Sequence, residues 1–320
     1  MGRVMRVVFH YDTGPALARR LAEVAGGGIG IAACGEADDE RFRGLMADAD
    51  VLWHVLRPVS AADIGAAPRL RLIQKIGVGV NTIDLDAARA RGVRVCNMPG
   101  TNTPAVAEMT LALMLSAMRQ LPAFGCAARD GKGWAMDPAI QDRLGEIGGR
   151  TVGLVGFGAV PRALAPVLKA LGARLLYTAR APKPEAAGLA EWRTLPALLE
   201  ESDIVSLHVP ETPETVGMID EAALARMRPA AVLVNTARGS LVDEAALAKA
   251  LSSGRLRAAG LDVFAREPAT PDNPLLALDN VALAPHVAWL TMDTIERSLE
   301  VALDNCRRLA AGEPLRFRVV

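Results

Sequence analysis

TVGLVGFGAVPRALAPVLKALGARLLYTAR, residues 151–180, is the stretch whose reading decides the fold. An apolar run enters Gly153, Gly156 and Gly158, a segment of helical period follows, and a second β-rich run closes the stretch. Glycine lets a strand turn tightly while its backbone approaches a pyrophosphate, which the free N–H groups and dipole of the following helix then hold. The third glycine of the usual pattern is absent. Pro161 stands there, which suits a first helical turn but lacks glycine's closeness to the sheet. Strand, turn, helix and strand in this order make a dinucleotide-binding unit, with Gly156, Phe157, Gly158, Ala159 and Val160 as its cofactor loop.

At the end of the second strand, where an acidic residue would meet the ribose 2′-hydroxyl of NAD, the chain carries Thr178, Ala179 and Arg180. No carboxylate remains to repel a 2′-phosphate, a hydroxyl is available to it, and a guanidinium can grip it. NADP(H) is therefore the preferred cofactor, with NAD(H) retained as an alternative.

Working outward, short β-branched runs alternate with Ala/Leu/Arg segments of helical period, the mark of parallel α/β sheets. They fall into two blocks, which agrees with 320 residues at roughly 150 per domain. Strands are expected at VMRVVFHY, ADVLWHVL, LRLIQKIG and VRVCNMPG in the first block. In the second they are expected at TVGLVGFG, ARLLYTA, DIVSLHV, AVLVNTAR, RAAGLDVF and NVALAPH. A long helix should begin near Thr103, and an amphipathic helix over about 291–311 should return to the first block. The expected division is 1–98 plus 289–320 for one domain and 99–288 for the dinucleotide-binding one.

Composition narrows the partners. Lys plus Arg and Asp plus Glu number 36 each, and no basic stripe could neutralise a run of phosphates, so nucleic acid is excluded. The longest apolar stretch, residues 105–118, is interrupted by Glu108, Thr110 and Ser116 and falls short of the ~20 residues of a membrane span. The four cysteines have no metal-ligand spacing and no metal is expected. MGRVMRVVFHYD has no apolar leader, and the expected location is the cytoplasm.

Three strand-end segments carry chemistry: NTARGSLVDEAAL with Arg238, LDVFAREP with Glu267, and APHVAWLT with His286. Residues just past the carboxyl ends of such strands converge on the ligand crevice, and this trio suits reduction of an oxoacid.

Here the sequence resembles the D-isomer-specific 2-hydroxyacid dehydrogenase family over nearly its whole length. VGLVGFG, His208-Val209-Pro210, Arg238 of NTARG, Glu267 before proline and His286 after proline match the family's motifs. So do KIGVGVNTIDL and NMPGTNTPAVAE in the first block. YTAR is similar to the glyoxylate and hydroxypyruvate reductase branch. The resemblance implies two doubly wound α/β domains, a Rossmann NAD(P)-binding domain inserted into a flavodoxin-like substrate domain. It implies that His286 is the general acid/base, that Glu267 orients it and favours its protonated form, and that Arg238 binds the substrate carboxylate, helped by the N–H groups of Val78 and Gly79. It adds Thr110, Thr215, Thr236, Ala237 and Asp262 to the cofactor contacts, Asp262 toward the nicotinamide carboxamide. A homodimer is implied as well, with Trp134 in the dimer-forming segment DGKGWAM.

The implied partner is a small 2-oxo or 2-hydroxy acid. Trp289, Leu56 and Arg57 are candidate substrate residues, with Trp53 beside them; Arg57 suits a second carboxylate or a phosphate. Phosphoglycerate dehydrogenases are a rival reading, though many carry a C-terminal regulatory domain and this sequence stops at Val320. Formate dehydrogenases pair the histidine with glutamine instead of Glu267. A nucleotide-sensing corepressor-like interaction module is the alternative from another class.

Overall fold

The structure, a computed structural model, describes residues 3–134 and 138–320. The chain divides into two units, Met1–Asn102 with Thr291–Val320, and Thr103–Leu290.

The first unit is a five-stranded sheet of β1 (Met5–His10), β2 (Ile29–Cys34), β3 (Val51–His54), β4 (Leu72–Lys75) and β5 (Arg94–Cys96), all parallel, in the order β2-β1-β3-β4-β5. This is the flavodoxin-like order. β2 was not expected, because GIGIAAC is Gly- and Ala-rich and lacks the β-branched density that marks its neighbours. Trp53, set beside the candidate substrate residues in the sequence, is a core side chain. Its side chain is fully buried, edge-on to Phe9 and against Cys306 of the helix Met292–Ala311. That helix is tied to the sheet by a buried amide pair, Asn305 donating to Gln74 Oε1 at 2.6 Å.

In the second unit seven parallel strands run in the order β12-β11-β10-β9-β6-β7-β8. They are β6 (Thr151–Val155), β7 (Arg174–Thr178), β8 (Glu191–Trp192), β9 (Ile204–Leu207), β10 (Ala231–Asn235), β11 (Leu256–Leu261) and β12 (Val281–Leu283). This is a Rossmann order extended by one strand. The two-residue edge strand β8 is the addition to the six expected from sequence, too short to leave a periodic signal. Both faces of the sheet are covered, which is why its strands read as unbroken apolar runs. Glycines permit the closest approaches: a Cβ on Gly153 would lie 2.3 Å from Ser202 Oγ, and one on Gly260 would lie 2.9 Å from the Leu113 carbonyl oxygen. The helix Thr103–Arg119 therefore lies directly on β11. Among the described residues no single helix is long and apolar enough to cross a membrane.

Candidate active site

The nucleotide turn and the strand-end residues Arg238, Glu267 and His286 all lie in the second unit. β6 ends at Val155, and Gly156 takes φ +101°, a conformation that favours glycine; its Cβ would meet the His208 backbone at 3.0 Å. Gly158 begins the helix Ala159–Ala170 with no side-chain cap, and a Cβ there would meet nothing within 4 Å. Open space beside uncapped N–H groups is a cradle for an anion, so the residues fit a dinucleotide pyrophosphate. Phe157 turns its ring inward onto Tyr177, with centroids 4.6 Å apart, which leaves its backbone to the turn. Thr178 ends β7, half-buried, and the exposed Arg180 has no hydrogen bond or ion pair among the described residues. His208 is anchored by its N–H to Val155 O at 2.8 Å and pairs with Ser206 Oγ at 2.9 Å; burial pushes its pKa down to about 3, so the ring is neutral. Thr215 Oγ1 donates to Pro210 O at 2.7 Å, holding the turn that carries Val209 and Pro210.

The catalytic candidates come together at the neighbouring strand ends. His286 Nδ1 and Glu267 Oε2 are 2.6 Å apart, and Glu267 Oε1 accepts the Phe264 N–H at 3.0 Å. Burial works to raise the pKa of Glu267. The bonds from His286 and Phe264 and the charges of His286 and Arg238 outweigh it, and the carboxyl titrates below its ordinary range. His286 itself has φ +57°, unusual for a residue other than glycine. Three contacts impose it: His286 N–H donates to Asp262 O at 2.6 Å, and Val287 and Ala288 donate to the two Asp262 carboxylate oxygens at 2.8 and 3.0 Å. The buried Trp289 adds its indole N–H to His286 O at 3.1 Å. Asp262 is buried, and burial raises its pKa against the lowering effect of those two N–H bonds.

Arg238 is half-buried, donates Nη1 to Ala237 O at 2.6 Å, and makes no ion pair within 4 Å among the described residues. Burial lowers its pKa while Glu211 and Glu267 work to raise it. Asn235 staples the turn, accepting the Ala237 N–H at 3.0 Å and donating to Arg238 O at 2.8 Å. Gly239 then packs so closely that a Cβ would lie 1.9 Å from the Phe264 carbonyl carbon. Asn235 and Gly239 were legible as part of NTARG, yet their roles needed the fold. Thr236 and Thr110 share a hydrogen bond at 2.8 Å, and Thr110 also donates to Val106 O at 2.7 Å. With its hydroxyl buried and engaged in this way, Thr110 ties the helix Thr103–Arg119 to the turn after β10.

Leu56, Arg57, Val78 and Gly79 belong to the first unit. The N–H groups of Val78 and Gly79 carry no hydrogen bond among the described residues. Arg57 is committed elsewhere: its guanidinium meets Asp39 at 2.6 Å and lies over the Phe42 ring at 5.5 Å, while Glu36 Oε1 accepts the N–H groups of Leu56 and Arg57 at 3.0 and 2.8 Å. Asp39 thus shares the charge of Arg57, while Arg57 Nη1 is buried without a hydrogen-bond partner among the described residues. Trp134 is 88% exposed; Ala135 and Met136 of DGKGWAM lie outside the described residues.

Residues 111–288 match the model of the D-isomer specific 2-hydroxyacid dehydrogenase NAD binding domain. The glyoxylate reductase of Korarchaeum cryptofilum is 43% identical over 270 residues, 83% of this chain and 81% of that protein. The chain belongs to the D-isomer specific 2-hydroxyacid dehydrogenase family. Another relative, the D-3-phosphoglycerate dehydrogenase of Mycobacterium tuberculosis, is 41% identical over 86% of this family member, which spans 52% of that relative's length. Among solved structures, an NADPH-dependent glyoxylate/hydroxypyruvate reductase from Sinorhizobium meliloti superposes on this 2-hydroxyacid dehydrogenase homologue with a TM-score of 0.82. The two are 30% identical, with 99% of this chain and 98% of that one covered.

Proposed function

We propose that this family member is an oxidoreductase that moves a hydride between NADP(H) and a small 2-oxo acid or the matching D-2-hydroxy acid, with glyoxylate and hydroxypyruvate as candidate substrates. The observation that carries the reading is the 2.6 Å contact of His286 Nδ1 with Glu267, a carboxylate that also feels the charge of Arg238, itself without an ion pair among the described residues. The loop from Gly156 to Val160, Thr178 to Arg180, His208 to Pro210, Thr215, Thr236 and Ala237 would hold the nucleotide; when bound, its nicotinamide supplies or accepts the hydride. Asp262 remains a candidate for the carboxamide, since a carboxylate has acceptor capacity beyond two N–H groups.

With Nδ1 turned to the carboxylate, Nε2 is the nitrogen that faces substrate. In the reducing direction His286 Nε2 gives its proton to the oxygen forming on the carbonyl carbon, and in the reverse direction it takes that proton back. Arg238 offers a planar fork of donors to the substrate carboxylate, which lysine could not reproduce. Val78 and Gly79 N–H groups would add to this hold.

The preference for NADP(H) rests on an exposed Arg180 that makes no ion pair within 4 Å among the described residues, although Glu214 feels its charge, and the S. meliloti enzyme is named for NADPH. The exposed Leu121 and Trp134 support a homodimer, and four free cysteines suit the cytoplasm. A panel of 2-oxo acids, including a phosphorylated one, with NADPH and NADH tests the whole reading. Absence of turnover with every acid, alongside tight nucleotide binding, would sink it in favour of a nucleotide-sensing interaction module.

A further inference from the structure

Glu211 directly follows Pro210. Its Oε2 accepts the Ser240 hydroxyl at 2.5 Å, and Ser240 lies in the short turn Gly239–Leu241 that follows Arg238. The two segments are joined again further along, Gly217 N–H donating to Ser240 O at 2.8 Å and Ile219 N–H to Leu241 O at 3.0 Å. Thr215 Oγ1 holds the backbone on either side of Glu211, donating to Pro210 O at 2.7 Å and accepting the Thr212 N–H at 2.8 Å, so Glu211 keeps its charge near Arg238 although it is exposed. That charge is felt at the guanidinium, as is that of Glu267. Two carboxylates thus act on one arginine, and only Glu267 is bonded to His286.

Resting on the reading of this site as one for 2-oxo acids, we infer that Glu211 sets the charge class of the substrate. It admits acids with a single carboxylate and disfavours those with a second anionic group. A monoanion is matched by Arg238. A second negative charge meets Glu211. One unit charge acting across a partly hydrated site changes affinity by roughly three- to tenfold.

Oxamate and oxalate test this, because they share a shape and carry one and two negative charges at neutral pH. Each is titrated calorimetrically into the full chain saturated with nicotinamide nucleotide. Glu211→Gln keeps an acceptor for Ser240 and removes the charge; Ser240→Ala keeps the charge and removes the bond. The expected result is a three- to tenfold gain in oxalate over oxamate affinity in Glu211→Gln, with the wild-type ratio in Ser240→Ala. An unchanged ratio in Glu211→Gln, an equal shift in Ser240→Ala, or binding of neither anion overturns the inference. The parent reading is judged separately, by whether the wild type turns over any 2-oxo acid.

Discussion

The backbone oxygen of Asp262 accepts the N–H of His286 at 2.6 Å. With the carboxylate of the same residue holding Val287 and Ala288, this bond fixes His286 at φ +57°, a conformation that costs a non-glycine residue about 1–3 kcal/mol. Asp262→Ala strips two backbone N–H groups of their acceptors, at roughly 1–3 kcal/mol each. The loop then relaxes toward ordinary backbone and carries the imidazole away from Glu267. The expected outcome is a fall of several degrees in the melting midpoint and a drop in kcat. A variant that melts lower with unaltered kcat would show that His286 is positioned by other contacts.

His286→Ala removes the proton donor and leaves the nucleotide cradle intact. Reduction of glyoxylate or hydroxypyruvate should fall by about 10²- to 10⁴-fold, the usual contribution of a positioned acid. Nucleotide Kd, read by fluorescence titration, should stay within a factor of two or so of wild type. Substantial residual turnover refutes the acid role.

Glu267 has a depressed pKa in the folded chain, so its contribution to stability has a definite sign. It is present above the carboxyl's ordinary value near 4.3 and is lost as pH falls through the lower folded value. Glu267→Gln should therefore melt below wild type at neutral pH, and the gap should close as the pH drops below about 4. Melting curves of the two proteins across acid pH check this; a gap independent of pH would mean that the charge of Glu267 does not contribute.

Gly239→Ala is expected to be severe despite its size. The new methyl would lie 1.9 Å from the Phe264 carbonyl carbon, backbone that cannot step aside, so the Arg238 turn and the Glu267 loop must separate. Overpacking of this kind costs about 3 kcal/mol. The melting midpoint and kcat/KM should both fall, while a Gly254→Ala control faces no atom within 4 Å and tests only its positive φ. Wild-type kcat/KM in Gly239→Ala would contradict the requirement for close approach.

Arg180→Glu places a carboxylate where a 2′-phosphate would lie. A charge-assisted hydrogen bond contributes about 1.5–3 kcal/mol, so the NADPH to NADH ratio of kcat/KM should fall by roughly ten- to hundredfold. An unchanged ratio would return the preference to NAD(H).

Much of the architecture was legible from local pattern. Gly156, Gly158 and the apolar runs beside them specify a strand, a turn and a helix without reference to distant residues, and β6 and its helix form there. β2 and β8 were missed for opposite reasons. β2 gains its strand from pairing with β1 despite a weak composition, and β8 is two residues on a sheet edge. Arg238, Glu267 and His286 could be singled out as candidates because each follows a strand beside distinctive neighbours. The pairing of Arg57 with Asp39 was not legible, because Asp39 opens the helix Asp39–Met46, eighteen positions away in the chain.

Sequence by itself determined that this chain forms parallel α/β sheets with a nucleotide turn, and which residue types wait at the strand ends, since strand and helix periods and glycine turns are properties of short segments. Only the tertiary structure decided that Glu267 reaches Nδ1 of His286, that Asp262 holds the histidine loop instead of standing free, that Gly239 abuts Phe264, and that Glu211 joins Ser240. Those contacts depend on the order and register of strands far apart in the chain, and short-range patterning carries no information about them.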